Sequence, residues 1–302
     1  MLQAWADNLR LSIPVPIVLD VAVGNPLETT GARAGGKVFR QPGVAIYTTD
    51  TGAVHARWNP ARATATLDPG STTARVTLSR GAMTRLDECA RVFLSAVLIL
   101  LLRRVGWHHV HGGIAIDPCG KGWLIVGDSG AGKSTTTALL AASGWRVGND
   151  DIVFLGEAGR SRNRVVVAAA HTPIALREDM SRRLGSTHEP QPERGKMIYW
   201  PEDLGGRWVD RVEPDVIMFI SANGSGGDAE SEPGAVTRAE AMAAPEATAR
   251  LVRASAWVML EPQLAQGHLE LLARLARQAR CFRIRLAEDL FTSPQRLQEL
   301  IA

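Results

Sequence analysis

A glycine-rich loop in the middle of the chain has the residue types and spacing that bind phosphate. The residues that fit its GxxxxGK[ST] pattern are Gly127, Asp128, Ser129, Gly130, Ala131, Gly132, Lys133 and Ser134, followed by Thr135. Glycines let the backbone turn around phosphate oxygens, and the amides then point inward at a helix N-terminus, where anions are favoured. The lysine supplies a cation to the β- and γ-phosphates, and the serine hydroxyl binds Mg²⁺. The motif therefore predicts binding of ATP or GTP with Mg²⁺.

Two adjacent carboxylates follow at the point where the chain is expected to return beside this loop. Asp151 lies eighteen residues after Lys133 and directly follows Asp150. Near a nucleotide, one carboxylate can hold Mg²⁺ while the other accepts the proton of an attacking hydroxyl. A solvated turn is the alternative, since Asn149-Asp150-Asp151 is also a loop signal. The phosphate-binding loop upstream favours the functional interpretation, so Ser134, Asp150 and Asp151 are candidate metal ligands.

A histidine cluster precedes the loop, in His108-His109-Val110-His111-Gly112-Gly113. Neighbouring positions on a strand face opposite ways, which disfavours a metal site made of all three histidines. We interpret His108 and His109 as structural residues and keep His111 as a candidate for the site.

Two different hydrophobic periods indicate how the chain is organised. Alternation within residues 10–80 predicts antiparallel strands, with a hairpin at Asp50-Thr51-Gly52 and further strands at 63–67 and 74–78. From Thr84 to Arg104 apolar residues recur at helical spacing, with acidic residues in the first turn and arginines in the last. The change of period predicts an N-terminal β-rich segment over 1–80 and a second domain over 81–302.

Beyond residue 107, strands and helices alternate around the loop. The predicted strands are 111–116, 123–126, 152–155, 165–169, 212–220 and 281–286. The predicted helices are 133–143, capped by Gly144, 237–251, 263–279 and 293–301, and residues 222–234 are a predicted surface loop. This order predicts an α/β fold with the loop at the C-terminal ends of parallel strands, as open α/β sheets place ligands.

The motifs together resemble one family of kinases. His111-Gly112, the loop Gly127–Thr135 and Gly144-Trp145-Arg146-Val147-Gly148-Asn149-Asp150-Asp151 are similar to the catalytic domain of HPr kinase/phosphorylase, and to related kinases that phosphorylate lasso-peptide precursors. The similarity is strong over about 105–156 and faint beyond it. It implies an HPr kinase-like P-loop core in which Lys133, Asp151 and His111 are catalytic. Asp151 would be the proton acceptor, Asp150 its neighbour near Mg²⁺, and His111 would assist catalysis or position the base.

The sequence departs from this family in ways that bear on the reaction. It lacks the later glutamate–glycine segment that completes the metal site and the loop linked to dephosphorylation. Glu178 could supply a carboxylate, although an exposed helix charge is favoured, and Arg177 and Lys196 are weaker candidates for phosphate contacts. The phosphorylase reaction and HPr itself as a substrate are therefore not carried over.

Composition and charge disfavour several other classes of protein, namely those that bind nucleic acid, depend on disulfides or zinc, or enter membranes. The net charge is +3, from 34 Lys+Arg against 31 Asp+Glu, with no basic run, which disfavours nucleic acid as a partner. Three distant cysteines indicate neither a disulfide framework nor a zinc site. The N-terminus lacks signal-peptide features, and the longest apolar stretch, 92–102, is too short to span a bilayer. These features predict a cytoplasmic protein that binds no membrane.

The expected activity is transfer of the γ-phosphate of ATP to a hydroxyl, in the first instance a serine, of a protein or precursor peptide. The motifs of transport ATPases and of GTP-binding switches are absent from the sequence. A kinase acting on a small hydroxylated molecule and a regulatory nucleotide-binding protein without catalysis remain alternatives. A homo-oligomer is an open alternative to a monomer.

Overall fold

The computed structural model describes residues 16–26, 38–41, 43–158, 161–170, 172–186, 190–193, 195–222, 235–255 and 257–301. Within these ranges the chain forms two compact units. The first contains the described residues up to His108 together with Trp257–Leu269, and the second contains the described residues from His109 to 255 and from Glu270 onward. The boundary between the two units thus lies at 108/109, whereas the hydrophobic period of the sequence changes near residue 80. The predicted surface loop 222–234 lies outside the described residues, apart from Ala222.

The fold is mixed α/β. The strands are β1 (Val18–Val23), β2 (Val38–Gln41), β3 (Val44–Thr48), β4 (Val54–Trp58), β5 (Ala63–Leu67), β6 (Thr73–Leu78), β7 (His108–Ile116), β8 (Gly122–Val126), β9 (Arg146–Val147), β10 (Ile152–Ala158), β11 (Ser161–Ala169), β12 (Ile174–Leu176), β13 (Gln191–Glu193), β14 (Lys196–Tyr199), β15 (Arg207–Trp208), β16 (Arg211–Val212), β17 (Pro214–Ala222), β18 (Arg238–Met242) and β19 (Arg280–Leu286). The helices are α1 (Arg80–Met83), α2 (Leu86–Glu88), α3 (Ser95–Arg104), α4 (Lys133–Ala142), α5 (Glu178–Leu184), α6 (Ala244–Ala254), α7 (Pro262–Gln278), α8 (Asp289–Thr292) and α9 (Arg296–Glu299). A π-helix, Cys89–Leu94, joins α2 to α3, and Pro201–Leu204 is a 3₁₀ helix.

The first unit contains a six-stranded sheet in the order β1-β6-β5-β4-β3-β2. The predicted hairpin is confirmed, since β3 and β4 pair antiparallel from Val44 opposite Trp58 to Thr48 opposite Val54. Alternate residues of β4 and β5 are buried, which is the period of two that the sequence shows. The strands from β2 to β6 are antiparallel neighbours, whereas β1 runs parallel to β6.

The predicted helix over 84–104 is confirmed, with one irregularity. Its middle, Cys89–Leu94, is wound as a π-helix, and the hydroxyl of Ser95 donates a hydrogen bond to the Ala90 carbonyl, five residues back, at 3.0 Å. Such π-turns widen a helix locally without ending it.

A buried ionic cluster in the first unit involves the end of this helix. The side chains of Arg103, Arg104 and Glu261 are at most 3% exposed. The Arg104 guanidinium binds one Glu261 carboxylate oxygen through Nη2 at 2.8 Å and Nε at 2.9 Å, and Arg103 Nη1 lies 3.8 Å from the other oxygen. Arg103 also donates to the Val258 carbonyl at 3.1 Å. One carboxylate therefore serves two buried cations.

We expect Glu261→Gln to destabilise the first unit by about 3–5 kcal/mol, because it leaves both guanidinium groups buried without a counter-charge. Urea unfolding of the full chain checks this. Glu88→Gln is the matched control, since Glu88 pairs with Arg85 on an exposed helix surface, where an ion pair contributes up to about 1 kcal/mol. Equal losses for the two variants would contradict this account of the cluster.

The second unit contains a ten-stranded sheet whose main order is β16-β11-β10-β7-β8-β17-β19-β18. Its centre, β8-β17-β19, is parallel, and β7 and β18 flank it antiparallel. The segment 127–132 follows β8 directly and lies at the carboxyl end of these parallel strands, as predicted. A separate sheet of three antiparallel strands has the order β12-β14-β13.

Both faces of the large sheet are covered. On one face α4 packs against Trp123, Ile125 and Met218, and on the other α6 and α7 pack against Leu124 and Ile217. Successive residues of β8 and β17 therefore enter different cores, which explains why these strands are apolar runs without alternation.

Two predicted helices are wrong in part. Residues 238–242 form β18 and not the first turns of a helix, because they pair with β19, and α6 begins only at Ala244. The C-terminal residues form two short helices, α8 and α9, because the residue before Pro294 is disfavoured in helical geometry.

The remaining predicted elements are close to those observed. The strands at 111–116, 123–126, 152–155, 165–169 and 281–286 and the helix at 263–279 correspond to β7, β8, β10, β11, β19 and α7. Cys89, Cys119 and Cys281 are free thiols. Among the described helices, none is both long and apolar enough to cross a bilayer.

Candidate active site

The glycine-rich segment forms a loop between a buried strand and a helix. All five residues of β8 are buried, and α4 begins at Lys133 directly after the loop. Gly132 precedes the helix with φ +99°, a conformation that favours glycine, and a Cβ there would stand 2.9 Å from Leu286 Cδ1. Gly130 also has a positive φ, +81°, and the Ala131 amide donates to the Asp128 carbonyl at 3.1 Å. The loop is thus a glycine-containing turn at a helix N-terminus.

The ammonium group of Lys133 is folded back over this loop. Its Nζ donates hydrogen bonds to the carbonyls of Gly127 at 2.8 Å and Asp128 at 3.1 Å. The residue is 6% exposed, and this burial lowers the pKa of the ammonium, while the nearby carboxylates of Asp151, Asp150 and Asp128 act in the opposite direction. The cation therefore lies where the predicted phosphates would bind.

Asp150 faces the hydroxyl at the start of α4. It is 6% exposed, and the Ser134 hydroxyl donates a hydrogen bond to its carboxylate. Burial raises the pKa of Asp150, and the Ser134 hydrogen bond opposes that shift. A buried carboxylate beside a hydroxyl is a donor set that suits Mg²⁺, which prefers oxygen ligands and takes only one or two carboxylates when phosphates supply others. No group of three or more histidine, cysteine or acidic side chains forms a metal site among the described residues.

Asp151 is paired with the predicted histidine. Its carboxylate Oδ1 lies 2.8 Å from His111 Nδ1, and the Asp151 side chain is 62% exposed. We place a proton on Nδ1 from this contact. The hydrogen bond from His111 is the main cause that lowers the pKa of Asp151, so the carboxylate is ionised at neutral pH. Asp151 is therefore an open carboxylate that a histidine orients.

Asn149 holds the two aspartates in place and was not singled out from the sequence. Its side chain is fully buried, and Oδ1 accepts hydrogen bonds from the amides of Asp151 and Ile152. Its Nδ2 donates to the Ala170 carbonyl at 2.9 Å and to the Thr172 hydroxyl. The Asn-Asp-Asp spacing signals such a turn, because Asn side chains bind the backbone a few residues ahead.

A glycine lets the turn approach the histidine strand. The Gly112 amide donates to the Asp151 carbonyl at 3.2 Å, and the Ile114 amide donates to the Asn149 carbonyl at 3.1 Å. A Cβ on Gly113 would lie 2.5 Å from the Asn149 carbonyl oxygen and 3.0 Å from the Asp150 Cα. The glycines after His111 thus have a packing reason, which the residues alone do not reveal.

We expect Gly113→Ala to move the aspartate turn and to lower phosphoryl transfer by at least about tenfold, since catalysis is sensitive to displacements near 1 Å. Gly267→Ala is the matched control, because Gly267 lies in α7 with no atom within 4 Å of an added Cβ. That change should leave transfer unaltered and stabilise the chain by about 0.5–1 kcal/mol. Parallel transfer assays and thermal melts check both variants, and parent-like transfer by Gly113→Ala would refute the role given to this contact.

His108 and His109 are buried, and His109 lies close enough to His111 and Asp151 for their charges to act on its pKa. Burial lowers the pKa of both His108 and His109 to about 4, so both imidazoles are neutral at pH 7. Arg177 pairs with Asp179 at 3.0 Å, and Glu178 is an exposed residue in the first turn of α5. Lys196 is exposed on β14. The contact of Arg177 and the positions of Glu178 and Lys196 give no support to a role for these residues in the site.

Comparisons with known proteins show a distant structural similarity and no family. No family model matches the chain, and no curated protein matches it. Among solved structures, the chain is similar to the Hpr(Ser) kinase/phosphatase from Coxiella burnetii. The identity is 14%, the match covers 64% of this chain and 93% of that chain, and the TM-score is 0.34. A likeness of this size does not assign a function.

Proposed function

We propose that the chain is an ATP-dependent phosphotransferase that moves the γ-phosphate to a serine hydroxyl of a protein or peptide. The proposal depends on one observation: a buried cation, a set of oxygen ligands and an exposed carboxylate lie together at one edge of the sheet. Lys133 and Ser134 stand at the start of α4, and Asp150 and the Asp151–His111 pair face them from the next turn of the chain. A cation, a metal-type donor set and an open base are the parts that phosphoryl transfer to a hydroxyl requires.

Each residue has one task in this proposal. The amides of the loop Gly127–Gly132 and the Lys133 ammonium hold the β- and γ-phosphates, and Ser134 and Asp150 hold Mg²⁺, with Asp151 nearby. Mg²⁺, when bound, neutralises charge on the phosphate oxygens. Asp151 accepts the proton of the acceptor hydroxyl while the hydroxyl oxygen bonds to the γ-phosphorus. At the same time the bond between the γ-phosphorus and the bridging oxygen breaks, and ADP leaves. His111 keeps Asp151 oriented through the 2.8 Å contact.

The test supplies γ-labelled Mg·ATP with three kinds of acceptor. These are a mixture of serine-containing peptides, the same peptides with alanine in place of serine, and small hydroxylated metabolites. We expect label on the serine peptides alone. Label only on the small molecules would establish the metabolite-kinase alternative, and nucleotide binding without transfer or hydrolysis would establish the regulatory one.

A further inference from the structure

An arginine stacks on a phenylalanine just beyond the carboxyl end of β19. The guanidinium carbon of Arg183, in the last turn of α5, lies 4.1 Å from the centre of the Phe291 ring on α8. Arg183 Nη2 also lies 3.2 Å from Glu288 Oε1. The ring thus covers one face of the guanidinium and the carboxylate holds one edge, while 40% of the Arg183 side chain stays exposed. A planar cation held in this way presents its second face to a further flat group.

The strand register brings this end of β19 to the level of the phosphate-binding loop. Val126, the last residue of β8, is in one row with Phe219 on β17 and Arg283 on β19. Leu286 lies three residues further along β19, at the height where β8 has already passed into the loop. A Cβ on Gly132 would accordingly stand 2.9 Å from Leu286 Cδ1. The segment that follows β19 therefore starts against the loop.

The stacked arginine also lies on the face of the sheet that the loop and α4 occupy. Leu286 and Phe291 pack against one hydrophobic cluster, and so does Leu184 at the end of α5. That cluster contains Ala131 of the loop and the buried apolar residues of α4. The helix α5 contacts α4 directly. The guanidinium and the phosphate-binding loop are therefore neighbours on one face of the sheet.

The order of the strands assigns this side of the loop to the nucleoside. His111 lies on β7 and Asp151 directly before β10, on one side of β8, whereas β17 and β19 lie on the other side. In an in-line displacement, the attacking and leaving oxygens stand on opposite sides of the phosphorus. An acceptor hydroxyl at Asp151 therefore leaves the β19 side of the loop to the rest of the nucleotide.

We propose that the exposed face of the Arg183 guanidinium stacks on the base of the bound nucleotide, with Phe291 behind it. A guanidinium stacks on aromatic rings through cation–π attraction, and every nucleobase offers such a ring. Glu288 and Phe291 fix the guanidinium before the nucleotide arrives, which reduces the side-chain entropy lost on binding. The inference rests on the proposed function, because it takes the γ-phosphate to lie at Lys133 and the acceptor hydroxyl at Asp151.

Calorimetric titration of the full chain with Mg·ATP, Mg·ADP and Mg·tripolyphosphate tests the proposal, since tripolyphosphate has no base. Arg183→Lys keeps the charge and loses the planar group. It should weaken the binding of ATP and of ADP by about tenfold each and leave the binding of tripolyphosphate as in the parent. Arg182→Lys is the matched control, because Arg182 is the neighbouring residue on α5, is 74% exposed and lies 3.8 Å from Glu178. It should bind all three ligands as the parent does.

Three results would overturn the inference. Parent-like binding of ATP and ADP by Arg183→Lys would show that the guanidinium does not stack on the base. An equal loss of tripolyphosphate affinity would assign Arg183 to the phosphates or to the shape of the loop. An equal loss in Arg182→Lys would reduce the effect to a general change in the surface of α5. These outcomes leave the proposed function standing, whereas a parent chain that binds neither ATP nor tripolyphosphate would contradict the phosphate-binding loop and the proposed function with it.

Discussion

Lys133→Ala should reduce Mg·ATP binding strongly and lower phosphoryl transfer by at least about 10²–10³-fold, because the γ-phosphate loses its nearest cation as charge develops in the transition state. The structure gives a second reason. The Lys133 ammonium bonds the carbonyls of Gly127 and Asp128, so its removal also frees the loop that cradles the phosphates. Calorimetry and transfer of labelled phosphate measure the two effects separately.

Lys121→Ala is the control for this change. Lys121 is exposed in the turn before β8, on the same strand–loop–helix unit, and its substitution removes the same charge. It should bind nucleotide and transfer phosphate as the parent does. Thermal melts show whether the Lys133→Ala protein remains folded. We expect it to fold, because the change takes a buried charge out of the protein. Unchanged binding and transfer by a folded Lys133→Ala protein would rule out the phosphate-binding loop.

The sequence was sufficient for the parts of the fold that local chemistry decides. A hairpin with Asp50-Thr51-Gly52 at its turn, a strand followed by a glycine loop and a helix, and a helix with arginines in its last turn each carry their signals within a few residues. The candidates His111, Lys133, Ser134, Asp150 and Asp151 were likewise recognised from short motifs, each of which spans only a few residues. The structure brings these five together, and their roles stay predictions.

The missed features depend on partners that are distant in sequence. Residues 238–242 contain Ala, Glu and Met, which favour helices, and only the ladder with β19, whose paired residues are 39 to 47 positions further along the chain, makes them a strand. Glu261 gives no local sign that it serves Arg103 and Arg104. The contact between Glu240 on β18 and Arg283 on β19 likewise exists only through the register of the two strands.

The site contains one missed residue that the sequence could have revealed and one that it could not. Asn149 could have been recognised, because an asparagine before two aspartates is a turn signal and its buried side chain bonds the amides that follow. Gly113 could not have been recognised, since the position requires glycine only because the Asn149 carbonyl leaves no room for a Cβ.

Asp151→Asn should lower phosphoryl transfer by about 10²–10⁴-fold while nucleotide affinity changes little, because the amide keeps the shape of the side chain and loses its basicity. The contact with His111 survives the change, since an amide oxygen can still accept the hydrogen bond that Nδ1 donates across 2.8 Å. Asp151 is mostly exposed, so the substitution leaves no buried group unpaired. The loss of transfer can then be assigned to the proton and not to the position of the side chain.

Asp150→Asn is the informative comparison, because its carboxylate is buried and bonded to Ser134. That variant should raise the Mg²⁺ concentration needed for activity and recover in part with Mn²⁺, since it loses charge beside the metal. Asp68→Asn, which removes an exposed carboxylate paired with Arg75 in the first unit, should behave as the parent in both assays. The measurements are calorimetric nucleotide titrations and transfer of labelled γ-phosphate for each variant. A near-parental transfer rate for Asp151→Asn would remove the base from the mechanism, and a loss of nucleotide affinity equal to its loss of transfer would make Asp151 a binding residue instead.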